Sequence, residues 1–391
     1  MLNLCYTCIP AGAPDDYGQV CDLLADGSGA LMQQFPKGWS PFPNLNDGLL
    51  VALEEWVQTR SRPNRPVILM VHGYLFDPTL DSTAGDNPFH SVFACPPEVH
   101  EQLSWLPLIG GCDAVTGPPE NAIAFAYTTR SSPYEFSMAG WSNSYQYAVF
   151  DQAPLAARAL ASVLFHLGQI GVPVRILAHS LGTRTVSQAI GIMGVYAPRC
   201  VQRIVFLDGA EFSVDAIANL SPHPIEVVNV LSRADLVLEL GASSFCHPIR
   251  VKGTLEACVV GYDGLGPLSE HWVDLQLDRH QVREWALSGA APTGRQYRLT
   301  HQVRGFDPHP HATMGHWCCY TDLGNRELVR DLLLEDSMTV PNLVLSGAPD
   351  GSTAPAYGHY GATTGPPPTP QTRLARWAAL QGGVVVADGS G

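Results

Sequence analysis

The chain has 391 residues, 46% of them hydrophobic, which suffices for a large core in one big domain or two. A formal net charge of −14 argues against nucleic acid or an anionic membrane surface as partner, because both need basic patches. Lys37 and Lys252 are the only lysines; with abundant Ala, Gly and Pro, the arginine-rich positive charge reads as coding bias rather than function.

The start, "MLNLCYTCIPAGAPDDYG", lacks the basic region and long apolar stretch of a signal peptide. A cytoplasmic protein is expected, or a secreted one if a signal has been removed. No unbroken 18-residue apolar run is present, so no membrane-spanning segment is expected. The 10 cysteines then default to reduced thiols. Cys5-x-x-Cys8 has half the spacing of a metal or redox site but lacks a second pair, and no metal is expected. Cys95 and Cys112 bracket a proline-containing segment and could bridge in an exported protein.

Next, "NDGLLVALEEWVQTR" opens on an Asn or Asp cap and carries apolar residues at helical spacing. Short buried strands are expected at Pro66 to Val71, Ala122 to Tyr127, Pro173 to His179, Arg203 to Asp208 and Ile225 to Leu231, with a further candidate at Gln296 to Val303. Their continuous apolar character suits a mostly parallel sheet covered on both faces. "QAPLAARALASVLFHLGQIG" and "LGNRELVRDLLLEDS" supply helices, and strand–helix alternation means an α/β domain with right-handed crossovers. One domain over 1–345 is expected. Two segments, about 75–121 and 241–295, are too long for plain connections and could lie over the sheet edge as a lid or pocket wall. The Pro/Gly-rich stretch 346–391 reads as a disordered tail.

The most informative stretch is "RILAHSLGTRTVSQAIGIM", a strand that turns into a helix with Ser180 at the corner. A nucleophile on such a turn projects its oxygen clear of both elements, while small residues two positions either side, Ala178 and Gly182, let strand and helix approach. The backbone N–H of Leu181 then falls at a helix N-terminus, where negative charge is stabilised. The alternative is that Ser180 only caps the helix.

Here the sequence resembles the α/β-hydrolase superfamily, whose elbow is G-x-S-x-G; Ala178 stands where the pattern has glycine, as in lipase-like elbows. The resemblance spans roughly Arg65 to Glu335. It implies a chain order of Ser, then Asp or Glu, then His. Asp235, after the strand ending at Leu231, is the favoured acid, and Asp208, at the end of the preceding strand, the rival. His247, His271, His280, His301, His309, His311, His316 and His359 follow Asp235. The loop before the last helix holds His309, His311 and His316. Of these His316 is favoured, because Gly315 before it allows a sharp bend. "VHGY" at Val71 to Tyr74 resembles the His-Gly segment of the family's oxyanion hole, which would pair the N–H of Tyr74 with that of Leu181.

The resemblance implies a serine hydrolase of the esterase or lipase kind. It would cleave carboxylic esters through an acyl-enzyme, using Ser180, His316 and Asp235 and no cofactor or metal. Phe76, Phe89, Phe93, Trp105, Leu106 and Leu108 could form a pocket for an apolar acyl or aromatic part of a small-molecule ester, or equally a satellite core. Thioesterase, amidase or acyltransferase chemistry would use the same residues. A non-catalytic binding module is the reading from a different class. Natural substrate and oligomeric state are left open.

Overall fold

Strands buried from end to end belong in the middle of a sheet, because neither face can meet water. In the computed structural model, which describes residues 1–8, 17–22, 31–36, 47–60, 63–81, 84–93, 104–110, 121–129, 148–235, 237–238, 258–265, 271–300 and 315–348, the apolar runs take that position. They are β4 (Val67–Val71), β5 (Ala122–Tyr127), β6 (Val174–His179), β7 (Val201–Leu207) and β8 (Glu226–Leu231). With β1 (Leu2–Cys8), β2 (Tyr17–Asp22), β3 (Leu31–Pro36) and β9 (Trp272–Gln276) they form one sheet in the order β3-β2-β1-β5-β4-β6-β7-β8-β9. Seven strands, β1 and β4 to β9, run parallel. β2 and β3 continue antiparallel from β1 at one edge. The fold class is α/β.

Alternation along β4 divides the core. Val67, Leu69 and Val71 face one layer, with Leu49 and Leu53 of α1 (Asp47–Thr59), α2 (Ala153–Gln169), α3 (Leu181–Met193) and α4 (Ser213–Leu220). Ile68 and Met70 face the other layer, with α6 (His280–Leu287), α8 (Leu323–Leu334) and α9 (Val340–Leu345). The short helices α5 (Val260–Asp263) and α7 (Cys318–Thr321) lie within the connections after β8 and before α8.

Two buried charged devices tie helices to this frame. Arg184 of α3 bonds Glu211 Oε1 at 2.5 Å, Asp215 Oδ2 at 2.9 Å and the Val149 carbonyl at 2.9 Å, with Phe150 and Phe212 within cation–π range. Arg175 on β6 donates to the carbonyls of Leu333 and Leu334, and Arg203 on β7 to those of Leu332 and Glu335. A helix leaves its last carbonyls without partners, and here two strand arginines supply them for α8.

The structure corrects several sequence expectations. β9 lies inside the stretch expected to be an insertion, and its polar residues are satisfied internally: Asp274 accepts from Asn229 Nδ2, Trp272 Nε1 and the Leu265 N–H, each at 2.8 Å. The segment from Gln296 to Thr300 is not a strand. Its N–H groups go elsewhere, Tyr297 N–H to the Ala286 carbonyl and Thr300 N–H to Asn325 Oδ1; residues 301–303 lie outside the described residues. Phe93, Trp105, Leu106 and Leu108 are buried in the second core layer, with Phe76 and Phe89 packed against it, which fits the satellite-core reading of that cluster. The span Ala148–Gln169 is long and apolar enough to cross a membrane by length and composition alone, and 67% of that window is buried within the fold, as in the core helix of a soluble protein, so it leaves that expectation untested. The tail from 349 onward, Cys95 and Cys112 lie outside the described residues, while Cys5 is buried on β1.

Candidate active site

Ser180 is the hinge between β6 and α3, and its backbone has the left-handed φ of 52° with ψ −125°. A non-glycine residue pays about 1–3 kcal/mol for such a conformation and keeps it only where its surroundings impose it. Here they do. Ser180 N–H donates to the Leu207 carbonyl at 3.0 Å, and Ser180 C=O accepts from Thr183 and Ala210 N–H groups. Gly182 passes so close to β4 that a Cβ would sit 2.4 Å from the Val71 carbonyl oxygen. Ala178, which replaces the glycine of the resembling pattern, is fully buried in the first core layer.

The Ser180 side chain makes no capping bond to α3, so the capping alternative is not realised. Among the described residues its hydroxyl has no hydrogen-bond partner, His316 included. The residue before it, His179, is buried, and its Nε2 donates to the His316 carbonyl at 3.1 Å. The two rings lie 4.7 Å apart between centroids. Trp105 and Tyr320 pack edge-on to His179, and burial holds its pKa well below 6.5. His179 is therefore a neutral spacer that seats the His316 loop beside the elbow.

His316 and Asp235 meet: Nδ1 donates to Oδ2 at 2.6 Å, and both residues are buried. A carboxylate at Nδ1 keeps the ring proton there and leaves the Nε2 lone pair available as a base. Asp235 is fixed in turn, its Oδ1 accepting from the Leu238 N–H at 3.0 Å. The two loops touch through Gly315, whose φ is 80° and whose Cβ, were one present, would lie 2.6 Å from the Ala234 carbonyl. The glycine read from sequence as a bend is also a contact surface.

Asp208, the rival acid, also has a left-handed φ, 42°, and is completely buried. It does not bond His316. Burial raises its pKa well above the usual carboxylate range, with Cys318 and Asp235 adding to the effect. The Cys319 thiol and Ser232 N–H temper that charge, yet among the described residues neither carboxyl oxygen meets hydrogen-bond geometry. Asp208, Cys318 and Cys319 offer ligand atoms within 4.8 Å of one another, the group that could hold a metal ion among the described residues. Sequence spacing gave no hint of it, because the cysteines are adjacent on α7 and their third partner follows β7, far away in the chain. Of the other histidines, His309, His311, His301, His247 and His359 lie outside the described residues, and His280 pairs with Glu284 on the surface.

The third part of the site is the turn after β4. A Cβ on Gly73 would lie 2.8 Å from that of Ser180, so only glycine lets this turn reach the elbow. Tyr74 follows immediately, and Leu181 supplies the first N–H of α3, one of the donors a helix cannot satisfy itself. His72 beneath the turn is fully buried and stacks on Tyr127 with centroids 5.0 Å apart. Its Nε2 accepts from the Tyr127 N–H at 3.0 Å and its Nδ1 lies 2.8 Å from the Gly73 carbonyl. Burial lowers its pKa to about 4, so the ring is neutral, and an acceptor at Nε2 places its one proton on Nδ1.

Comparison with protein-family models, with curated proteins and with solved structures finds no match for this chain.

Proposed function

We propose that this chain is a serine hydrolase of the α/β-hydrolase type that cleaves carboxylic esters. The observation that carries the reading is the strained Ser180 at a strand-to-helix corner with a buried His316–Asp235 pair on the loops beside it. Strain of this kind collects where geometry serves chemistry. In the proposed reaction Ser180 Oγ attacks the ester carbonyl while His316 Nε2 takes its proton. Asp235 holds the resulting imidazolium, and His316 then gives the proton to the leaving alcohol. Water, activated by the same nitrogen, releases the acid from the acyl-enzyme. The N–H groups of Tyr74 and Leu181 bind the oxyanion, each worth about 3 kcal/mol in such a hole. Ser180 and His316 form their hydrogen bond as the ester closes the site, since such contacts are often loose before substrate binds. The substrate class is a small-molecule carboxylic ester.

The test is turnover of aryl esters of increasing acyl length by the wild type and by Ser180→Ala and His316→Ala. Each variant is expected to lose at least about 10³-fold in kcat with an unchanged fold. Full turnover by Ser180→Ala would remove the proposal.

A further inference from the structure

We propose that Thr129 is a positioning residue that, together with His72, fixes the Gly73–Tyr74 peptide plane and so aims the Tyr74 N–H at the reacting centre. The inference rests on the reading of Tyr74 as an oxyanion donor and concerns a residue just past the end of β5, across the sheet from Ser180.

Thr129 is 1% exposed, and its side chain has a single proton and two lone pairs to use. Its Oγ1 accepts from the Phe76 N–H at 3.0 Å. The hydroxyl proton lies between two acceptors, the Gly73 carbonyl at 3.2 Å and the Phe76 carbonyl at 3.0 Å. The Thr129 N–H donates to the Phe76 carbonyl at 2.9 Å. One residue thus clips both ends of the turn from Gly73 to Phe76.

The turn needs a clip. Leu75, inside it, has φ 75° and is 46% exposed, so its left-handed backbone is not anchored by a fully buried side chain. The Gly73 carbonyl is also held from a second direction by His72 Nδ1–H at 2.8 Å. A carbonyl oxygen has two lone pairs, and two buried donors are aimed at this one. In a trans peptide the C=O and the following N–H point in opposite directions. Holding the Gly73 oxygen toward His72 and Thr129 therefore turns the Tyr74 N–H away from them, while Gly73 itself lies against Ser180. An oxyanion donor must be in place before charge develops, because a donor that has to reorient during the reaction loses much of its effect.

The sequence allows this to be read without activity. Only Tyr74 and Tyr262 follow a glycine, so carbonyl-¹³C glycine with ¹⁵N tyrosine gives two Gly-Tyr correlation signals, Tyr262 serving as internal control. In Thr129→Val the Tyr74 signal is expected to shift or broaden while the Tyr262 signal stays. The kcat for a short aryl ester is expected to fall at least about tenfold with KM within threefold, and Thr129→Ser should restore both. If valine unfolds the chain, Thr129→Cys, near in shape and a weaker donor, should give an intermediate shift and an intermediate kcat. An unmoved Tyr74 signal in the valine or cysteine variant, or a serine variant no better than valine, would overturn the proposal. A moved signal alongside full turnover by Ser180→Ala would instead overturn the hydrolase reading and leave the role of Thr129 in the turn intact.

Discussion

His72 shows how one side chain converts burial into a fixed direction. Its ring is neutral because burial opposes charge, and its tautomer follows from a single backbone donor, the Tyr127 N–H. That makes it a liability in acid. The unfolded chain takes up a proton at the ordinary value of 6.5, the folded chain only near 4. Between those values the unfolded state binds more protons, so the contribution is complete above pH 6.5 and drains as pH falls through about 4. Its full size is on the order of 3 kcal/mol. Urea unfolding of wild type and His72→Gln between pH 7 and 4 should therefore show a steeper loss in the wild type. Equal slopes would mean that His72 is not held neutral. Protonation would also remove the Nε2 acceptor and set two donors facing each other, so the turn from Gly73 to Phe76 should loosen over the same range.

At the scale of elements, the two arginines on β6 and β7 set the position of α8 and hence the register of the loop before it, which carries His316. Arg203 is 2% exposed, pairs with Glu226 at 3.0 Å and serves two carbonyls at the end of α8. Replacing Arg203 with Met should leave those groups unpaired and cost about 3 kcal/mol. A urea midpoint lowered accordingly with an unchanged m-value is the expected result, and an unshifted midpoint would contradict it. The same scale shows why some elements were legible in the sequence and others were not. β4 to β8 are buried on both faces apart from Gln202 and Glu226 near their starts, and so read as near-continuous apolar runs. β9 carries Asp274 and Gln276, and only the structure reveals the Asn229, Trp272 and Leu265 groups that let the aspartate be buried. Conversely, the sequence Gln296–Val303 imitates a strand because Tyr297 and Leu299, in the described part Gln296–Thr300, alternate inward. Those side chains pack the second core layer from an irregular segment, with Tyr297 Oη bonded to Asp331 at 2.8 Å.

For the molecule as a whole, the sheet brings the candidate residues together at the carboxyl ends of its parallel strands, where open α/β sheets bind ligands. Ser180 follows β6, Asp235 follows β8 and Gly73 follows β4. The strand-to-helix corner was readable because its chemistry is local. The preference for Asp235 over Asp208 came only through the resemblance, since both follow strand ends and the histidine that bonds one of them lies more than 80 positions along the chain. Thr129 and His179 were missed for the same reason, as their partners are on other strands and loops. The central claim, that the Ser180 oxygen is a nucleophile, is tested most directly by a fluorophosphonate. The oxygen should displace fluoride and form one phosphonyl ester per chain. Peptide mapping of the labelled protein should place that adduct on Ser180, absent from Ser180→Ala and strongly slowed in His316→Ala. An unlabelled wild type, or an adduct mapped to any other residue, would contradict the account.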